Sequence, residues 1–445
     1  MPGTVCSSQR NDHAGEEKDS VKVCMISTSA ADIWSFPMMY KMAKTLIKHG
    51  FEVYVLCRRS AERSPSYEVK EAIRVSRISQ PWLFEARKKV SKLFPGKLHK
   101  ILAPLLIIVK NLITAMPFAL RAIKVRADVY HCFHPCGLLA GAIAKSVLGK
   151  KRKLIYVSID DYTYSTARSY SSYFKLPVNS VIPMAVWKVH HAFEFSLVKK
   201  FADAVFTLDC VGNVLYRKYK SVLDNVVVIR TVPEANAEVD DDLKRELISK
   251  YKGWKLVAYV GLINELRGCF NMIKAIEQVR KEVPNTKLLL IGSTSDERFM
   301  RKALTFIKHR DLGDHVEFLG VIPYSKLHTY LSVCDVGLCT YLHVAPGAGK
   351  RSSKLFLYMR AGLPVVASDL PGLREIVKET NCGILVDPRD VRQIADAIIR
   401  LLKDPEYARR LGKNGIRAIM SKYNWCEEER KMITAYGLLN RDLRR

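Results

Sequence analysis

Acidic residues are scarce in this 445-residue chain: 44 Asp and Glu stand against 72 Lys and Arg, a formal net charge of +28. That excess calls for an anionic partner: nucleic acid, anionic lipid or a phosphorylated substrate. Metal-type cysteine spacing is missing as well. The 11 cysteines are scattered, and the closest pairs, Cys132 with Cys136 and Cys334 with Cys339, stand at the ends of apolar runs. There a small hydrophobe is expected rather than a zinc ligand. The odd count and the lack of a signal-peptide pattern lead to the expectation of a reducing, cytoplasmic setting. No internal repeat of short period breaks the chain into a solenoid.

The length exceeds one ordinary core, so two domains are expected. Residues 1–20 are polar and charged and read as a disordered tail. Residues 21–230 alternate strands and helices. Val21–Ser27, Phe51–Cys57, Ala127–His131, Lys153–Ile159, Ala204–Leu208 and Asn225–Ile229 read as strands, and Phe36–His49 and Val181–Lys200 as helices. A strand near Ile73–Ile78 completes the set. Residues 231–252 read as the linker and entry helix of a second domain spanning 253–424, and 425–445 as a terminal helix.

The second domain carries the most informative stretch, Ser352–Gly372. A helix opens at Ser352-Ser353-Lys354 and stops before Gly362, a residue type suited to a left-handed cap, and Pro364-Val-Val-Ala-Ser follows as a buried strand. Open N–H groups and the positive dipole end at such a helix start suit a phosphate. Val257–Gly268 reads as an apolar strand ending in glycine and then a loop with Arg267-Gly268, and Leu288–Gly292, Val316–Tyr324 and Val333–Thr340 read as three more buried strands. The expectation is an α/β protein of two doubly wound, Rossmann-like domains facing a cleft, with ligands beyond the carboxyl ends of the strands.

The ordered set VGLINELRG, LLLIGS, FLGVIPYSKLHTYLSVCDVGL, SSKLFLYMRAGLPVVASDLPGLREIV, CGILVDPRD and YNW resembles the retaining family 4 (group 1) glycosyltransferases of the GT-B fold, from about Val257 to Trp425. A fainter resemblance covers VKVCMIST, ADVYHCFHP and KFADAVFTLD. The resemblance implies transfer from a UDP- or GDP-linked sugar to a lipid-linked or cell-envelope glycan acceptor such as a polyprenyl-linked one. It also implies retention without a protein nucleophile and no metal or other cofactor. Consistent with that, no acidic cluster of the Asp-x-Asp kind stands at a strand end. The resemblance implies Gly261, Arg267, Gly268, Lys350, Ser352, Ser353 and Lys354 around the donor diphosphate, with Gly320 and Val321, in the loop to Pro323, bordering the nucleobase. On the acceptor side it implies His131, with His134 as a rival, and Asp160 and Asp161 after the strand LIYVSI. The terminal helix would cross back onto the first domain. The pattern departs at its paired glutamates, where Gly349 and Leu357 stand. Leucine accepts no hydrogen bond from a ribose, and such a bond to a charged group contributes roughly 1.5–3 kcal/mol. Glu265 is a candidate replacement. A non-catalytic GT-B subunit that binds a partner transferase or a membrane is the alternative. A sugar-nucleotide epimerase would need acid and base groups that the pattern does not supply.

Between Leu83 and Arg126 Glu85 is the only acid, amid Arg87, Lys88, Lys89, Lys92, Lys97, Lys100, Lys110, Arg121, Lys124 and Arg126. Two apolar runs, ILAPLLIIV and LITAMPFAL, are split by Lys110-Asn111 and carry prolines at 104 and 117. A spanning helix needs roughly 20 apolar residues, and a central charge costs at least about 2.5–3.5 kcal/mol. An interfacial segment on an anionic membrane surface is therefore expected over a spanning one, making the protein peripheral at the cytoplasmic face. The competing expectation is a helix pair packed on the first domain's own sheet. Nucleic acid is not expected, because the dense cations are interleaved with aliphatic rather than aromatic residues.

Overall fold

A computed structural model describes residues 20–28, 33, 37–59, 65–80, 97–149, 151–158, 166, 171, 177, 180–208, 214–236, 238–294, 296–342 and 353–443. These form two compact units, one of residues 1–208, 215–229 and 429–445, the other of 209–214 and 230–428.

In the first unit the strands are β1 (Lys22–Ser27), β2 (Glu52–Arg58), β3 (Tyr67–Lys70), β4 (Ile73–Ile78), β5 (Val129–Phe133), β6 (Lys153–Ser158), β7 (Ala204–Thr207) and β8 (Val226–Val228). The helices are α1 (Pro37–Lys48), α2 (Lys97–Val125), α3 (His134–Leu148), α4 (Val181–Phe201) and α5 (Val214–Lys220). The sheet runs β3-β4-β2-β1-β5-β6-β7-β8 and is parallel except for β3. The order reverses between β1 and β5, which pair from Val23 with Val129 to Ser27 with Phe133. β3 escapes a reading by hydrophobic pattern because only Val69 of YEVK is aliphatic and it is 57% exposed.

The second unit holds α6 (Asp241–Lys250), β9 (Lys255–Val260), α7 (Cys269–Glu282), β10 (Thr286–Ile291), α8 (Glu297–His309), β11 (Val316–Gly320), α9 (Tyr324–Ser332) and β12 (Val336–Cys339). It continues with α10 (Ser353–Arg360), β13 (Val365–Ser368), α11 (Pro371–Thr380), β14 (Gly383–Val386), α12 (Val391–Lys403) and α13 (Pro405–Ser421). Helix α14 (Trp425–Leu443) begins in the second unit and ends in the first. The sheet order is β11-β10-β9-β12-β13-β14, all parallel, the doubly wound arrangement with its switch point between β9 and β12. Buried runs such as LVAY in β9 and LLLI in β10 account for the sheet: strands covered on both faces read as continuous apolar segments.

Several expectations need adjustment. β14 was read only as part of a motif and proves to be the outer strand of the second sheet. Residues 231–252 contain α6, in the place expected for the entry helix. α6 is capped by the Asp240 side chain, which accepts from the Leu243 amide, while the Asp240 amide donates to Thr329 Oγ1 on α9. The bond to Thr329 ties the segment to the rest of the second unit. α2 is one continuous 29-residue helix through both prolines. Its Ile107, Asn111, Ala115, Phe118, Ala119 and Ala122 are buried. The Asn111 amide nitrogen lies 3.0 Å from His190 Nε2 on α4, and its oxygen accepts from Cys136 of α3 at 3.2 Å. The amide inside the apolar run is thus a clasp to the protein's own helices.

Candidate functional site

The site is built at the switch point of the second sheet. β9 ends at Gly261, whose φ of +133° suits glycine alone. Any Cβ there would collide with Cε and Nζ of Lys354. The neighbouring strands end the same way: Gly292 has φ +144° and Gly320 has φ +69°. The Gly261 amide donates to the Ile291 carbonyl at 2.8 Å and the Gly292 amide to the Gly320 carbonyl at 2.7 Å. A Cβ at Gly292 would strike the Gly261 carbonyl oxygen, so glycine there lets the ends of β9 and β10 pack closely, while Gly320 has open space beside it.

After Gly261 the chain makes a one-turn 3-10 helix, Glu265–Arg267, because the Asn264 side chain accepts from the Arg267 amide at 3.0 Å. Gly268 follows at φ +73°, and a Cβ there would strike the Thr340 carbonyl oxygen at the end of β12. That close approach sets the start of α7 beside β12. The start carries no side-chain cap, so its first amides stay open to an anion.

α10 begins at Ser353, which is exposed, as the sequence pattern predicts. Its next residue, Lys354, reaches back over Gly261. Lys354 Nζ donates to the Tyr259 hydroxyl at 3.0 Å and lies 4.5 Å from the Tyr259 ring centre and 5.0 Å from that of Tyr341. The Arg267 guanidinium covers the same Tyr341 ring at 5.2 Å. Two cations thus flank one aromatic platform at the switch point. Among the described residues, no carboxylate forms an ion pair with either. Burial, and next the Arg267 charge, bring the Lys354 ammonium down to about 8. Bringing two cations together without a counter-ion is costly, and an anion placed between them would relieve that cost.

The other site residues divide. Gly320 is exposed and Val321 is 73% exposed, so the loop after β11 offers backbone and a free edge. Lys350, Ser352, Gly349, Asp160 and Asp161 lie outside the described residues. Leu357 is buried in the core with Phe356 and Met359. Glu265 is already engaged, accepting from Lys302 at 3.1 Å.

His131 is a correction. It is the middle residue of β5 and fully buried, stacked on Phe133 and sharing a 2.6 Å hydrogen bond between Nδ1 and the Tyr436 hydroxyl. Burial lowers it to about 3, so it stays neutral and serves packing between β5 and α14. The strand-end position belongs to His134, at φ +62° in the first turn of α3. Gly137 lets that turn approach β1 closely, since a Cβ there would stand 2.7 Å from the Ile26 carbonyl oxygen. The aromatic platform of Tyr259 and Tyr341 was missed from the sequence. Its only signal was a tyrosine at or just beyond the end of each switch-point strand.

Residues 240–418 match the family described as glycosyl transferases group 1. The chain is 28% identical over 185 residues to a phosphatidyl-myo-inositol mannosyltransferase of Mycobacterium leprae, a match covering 41% of this chain and 46% of that protein. It spans about half the length of such curated relatives. Its fold is similar to sucrose-phosphate synthase from Thermosynechococcus elongatus, with TM-score 0.67 and 19% identity, covering 94% of this chain and 99% of the other. HepE of Anabaena in complex with UDP-glucose is similar with TM-score 0.65 and 14% identity, covering 94% and 99%. The fold is GT-B, built of two parallel-sheet α/β domains. Residues 240–418, which lie in its second domain, are similar to the group 1 glycosyl transferases.

Proposed function

We propose that the chain is a nucleotide-sugar-dependent glycosyltransferase. Its donor is a UDP- or GDP-linked sugar, and its acceptor a lipid-linked or cell-envelope glycan. The observation that carries the reading is the pair of cations Arg267 and Lys354 over Tyr341 at the switch point, with no carboxylate paired to either among the described residues. Glycosyl transfer places new negative charge on a diphosphate leaving group, and preorganised cations and amides stabilise such charge without reorganising. Arg267, Lys354 and the first amides of α7 and α10 supply both. Two fixed cations also perform the charge neutralisation a metal ion would otherwise provide, which supports metal-independent transfer. Retention rests on the resemblance of the second domain, with no protein nucleophile assigned. On the acceptor side the reading moves from His131 to His134, the histidine at the strand end; Asp160 and Asp161 keep their proposed place. A lipid acceptor draws support from the similarity to a phosphatidyl-myo-inositol mannosyltransferase, and with such an acceptor the proposed setting is the cytoplasmic face of a membrane.

The test is calorimetric titration with UDP, GDP and their sugars. One nucleotide binds the parent and fails with Arg267→Ala, and its sugar ester is slowly hydrolysed. Silence toward every nucleotide would remove the reading. Leu357 favours one second reading, a non-catalytic subunit: a buried leucine stands where the resemblance implies a ribose-binding carboxylate. Nucleotide binding with no hydrolysis or transfer would select it.

A further inference from the structure

Helix α2 is packed on one side only. Leu105 (61%), Val109 (48%), Leu112 (43%), Ile113 (39%), Met116 (45%) and Leu120 (57%) are exposed. At 3.6 residues per turn these six fall within about 100° of the helix circumference and form a stripe about 22 Å long. A continuous exposed aliphatic stripe of this kind marks an interaction surface, unlike scattered single residues. Lys110, Arg121 and Lys124, all exposed, follow one edge of the stripe.

From this geometry we infer that the stripe is a docking face for an anionic lipid bilayer, with α2 lying in the plane of the interface. Charge complementarity selects the occupant. Aliphatic residues edged by cations, in a chain of net charge +28, match acyl chains beneath anionic headgroups. The stretch Leu105–Val125 is long and apolar enough to cross a membrane, with mean hydropathy 1.6. Spanning is opposed by the opposite face, where Asn111 and Thr114 are buried against the protein and Asn111 bonds to His190 and Cys136. A spanning helix would forfeit those contacts, while an in-plane helix keeps them and covers only the free stripe. The inference rests on unit-one surface alone and stands apart from the nucleotide site.

The experiment is flotation of the full-length protein with vesicles of phosphatidylcholine alone or mixed with phosphatidylglycerol. The parent floats with the mixed vesicles and stays down with phosphatidylcholine. The double variant Leu112→Glu, Met116→Glu weakens flotation by roughly tenfold or more. Its melting temperature stays at the parent value, because both side chains are exposed. Arg267→Ala floats like the parent, so a failed transferase reading leaves this one standing. Undiminished flotation of the double variant would overturn the inference, as would no flotation of the parent. A parent dimer that the double variant dissociates, without any change in flotation, would assign the stripe to a second copy of the chain instead.

Discussion

Lys354 crosses Gly261 to donate a 3.0 Å hydrogen bond to the Tyr259 hydroxyl, which itself donates to the Leu262 carbonyl at 2.7 Å. A residue on α10 is thereby locked to the end of β9, and the lock works only while position 261 lacks a side chain. Gly261→Ala places a Cβ at φ +133° and in the path of the lysine. The strained backbone costs about 1–3 kcal/mol of stability. Displacement of Lys354 lowers nucleotide affinity by about tenfold or more, since a charged contact contributes about 1.5–3 kcal/mol. Urea denaturation and titration calorimetry measure the two losses. Affinity equal to the parent's would show that Lys354 is not part of the nucleotide site.

The lysine also sets a pH dependence. Its value falls from 10.5 to about 8 in the folded protein, chiefly through burial. The unfolded chain therefore binds this proton more tightly. Between about pH 8 and pH 10.5 the free protein gains stability from this group as pH rises. A bound diphosphate reverses the preference by favouring the charged ammonium. Nucleotide affinity is then highest below pH 8 and declines above it, with proton uptake on binding. Calorimetry at pH 8.5 in buffers of different ionisation enthalpy reads that uptake directly. It disappears in Lys354→Met; an identical uptake in the variant would assign the proton elsewhere.

His131 and His134 separate packing from function. His131→Ala empties a fully buried site against Phe206 and Tyr436 and leaves the Tyr436 hydroxyl without its nitrogen partner. The expected cost is about 2–4 kcal/mol, read as a lower denaturation midpoint, with nucleotide affinity intact at low temperature. His134→Ala leaves nucleotide affinity unchanged and lowers sugar transfer. The opposite pattern, with His131 lowering transfer at unchanged stability, would restore the histidine first expected from the sequence.

Pattern reading located β9 and β10 to within two residues through their buried runs LVAY and LLLI, but it overran β11 at Gly320 by four residues and began β12 three residues early. It failed where tertiary contacts override pattern. β3 is half polar and gains its place only by antiparallel pairing with β4. The histidine of ADVYHCFHP was legible as a strand residue, but its burial depends on Tyr436, 305 positions away. The glycines and Arg267 could be read because close approach and turn geometry leave a residue-type signature. The Tyr259–Tyr341 platform could not, since an aromatic at a strand end is usually core. The apolar character of α2 was plain in the sequence. Which face was free was not, because that depends on α3 and α4.

Asn111 decides how α2 is held. Its side chain is buried and joins α2 to His190 of α4 and Cys136 of α3. Asn111→Ala removes both hydrogen bonds and leaves buried polar atoms unpaired, at a cost of about 1–3 kcal/mol. Asn111→Leu retains bulk but places an apolar group against the imidazole, and the same destabilisation follows. If α2 instead left the unit to span a bilayer, neither substitution would change the melting of the detergent-free protein, and both would strengthen membrane retention. Thermal unfolding of the two variants beside carbonate extraction from membranes therefore distinguishes the arrangements. Lower melting temperatures with easy extraction fit a helix clasped to its own domain, with only the Leu112–Met116 side free to meet lipid.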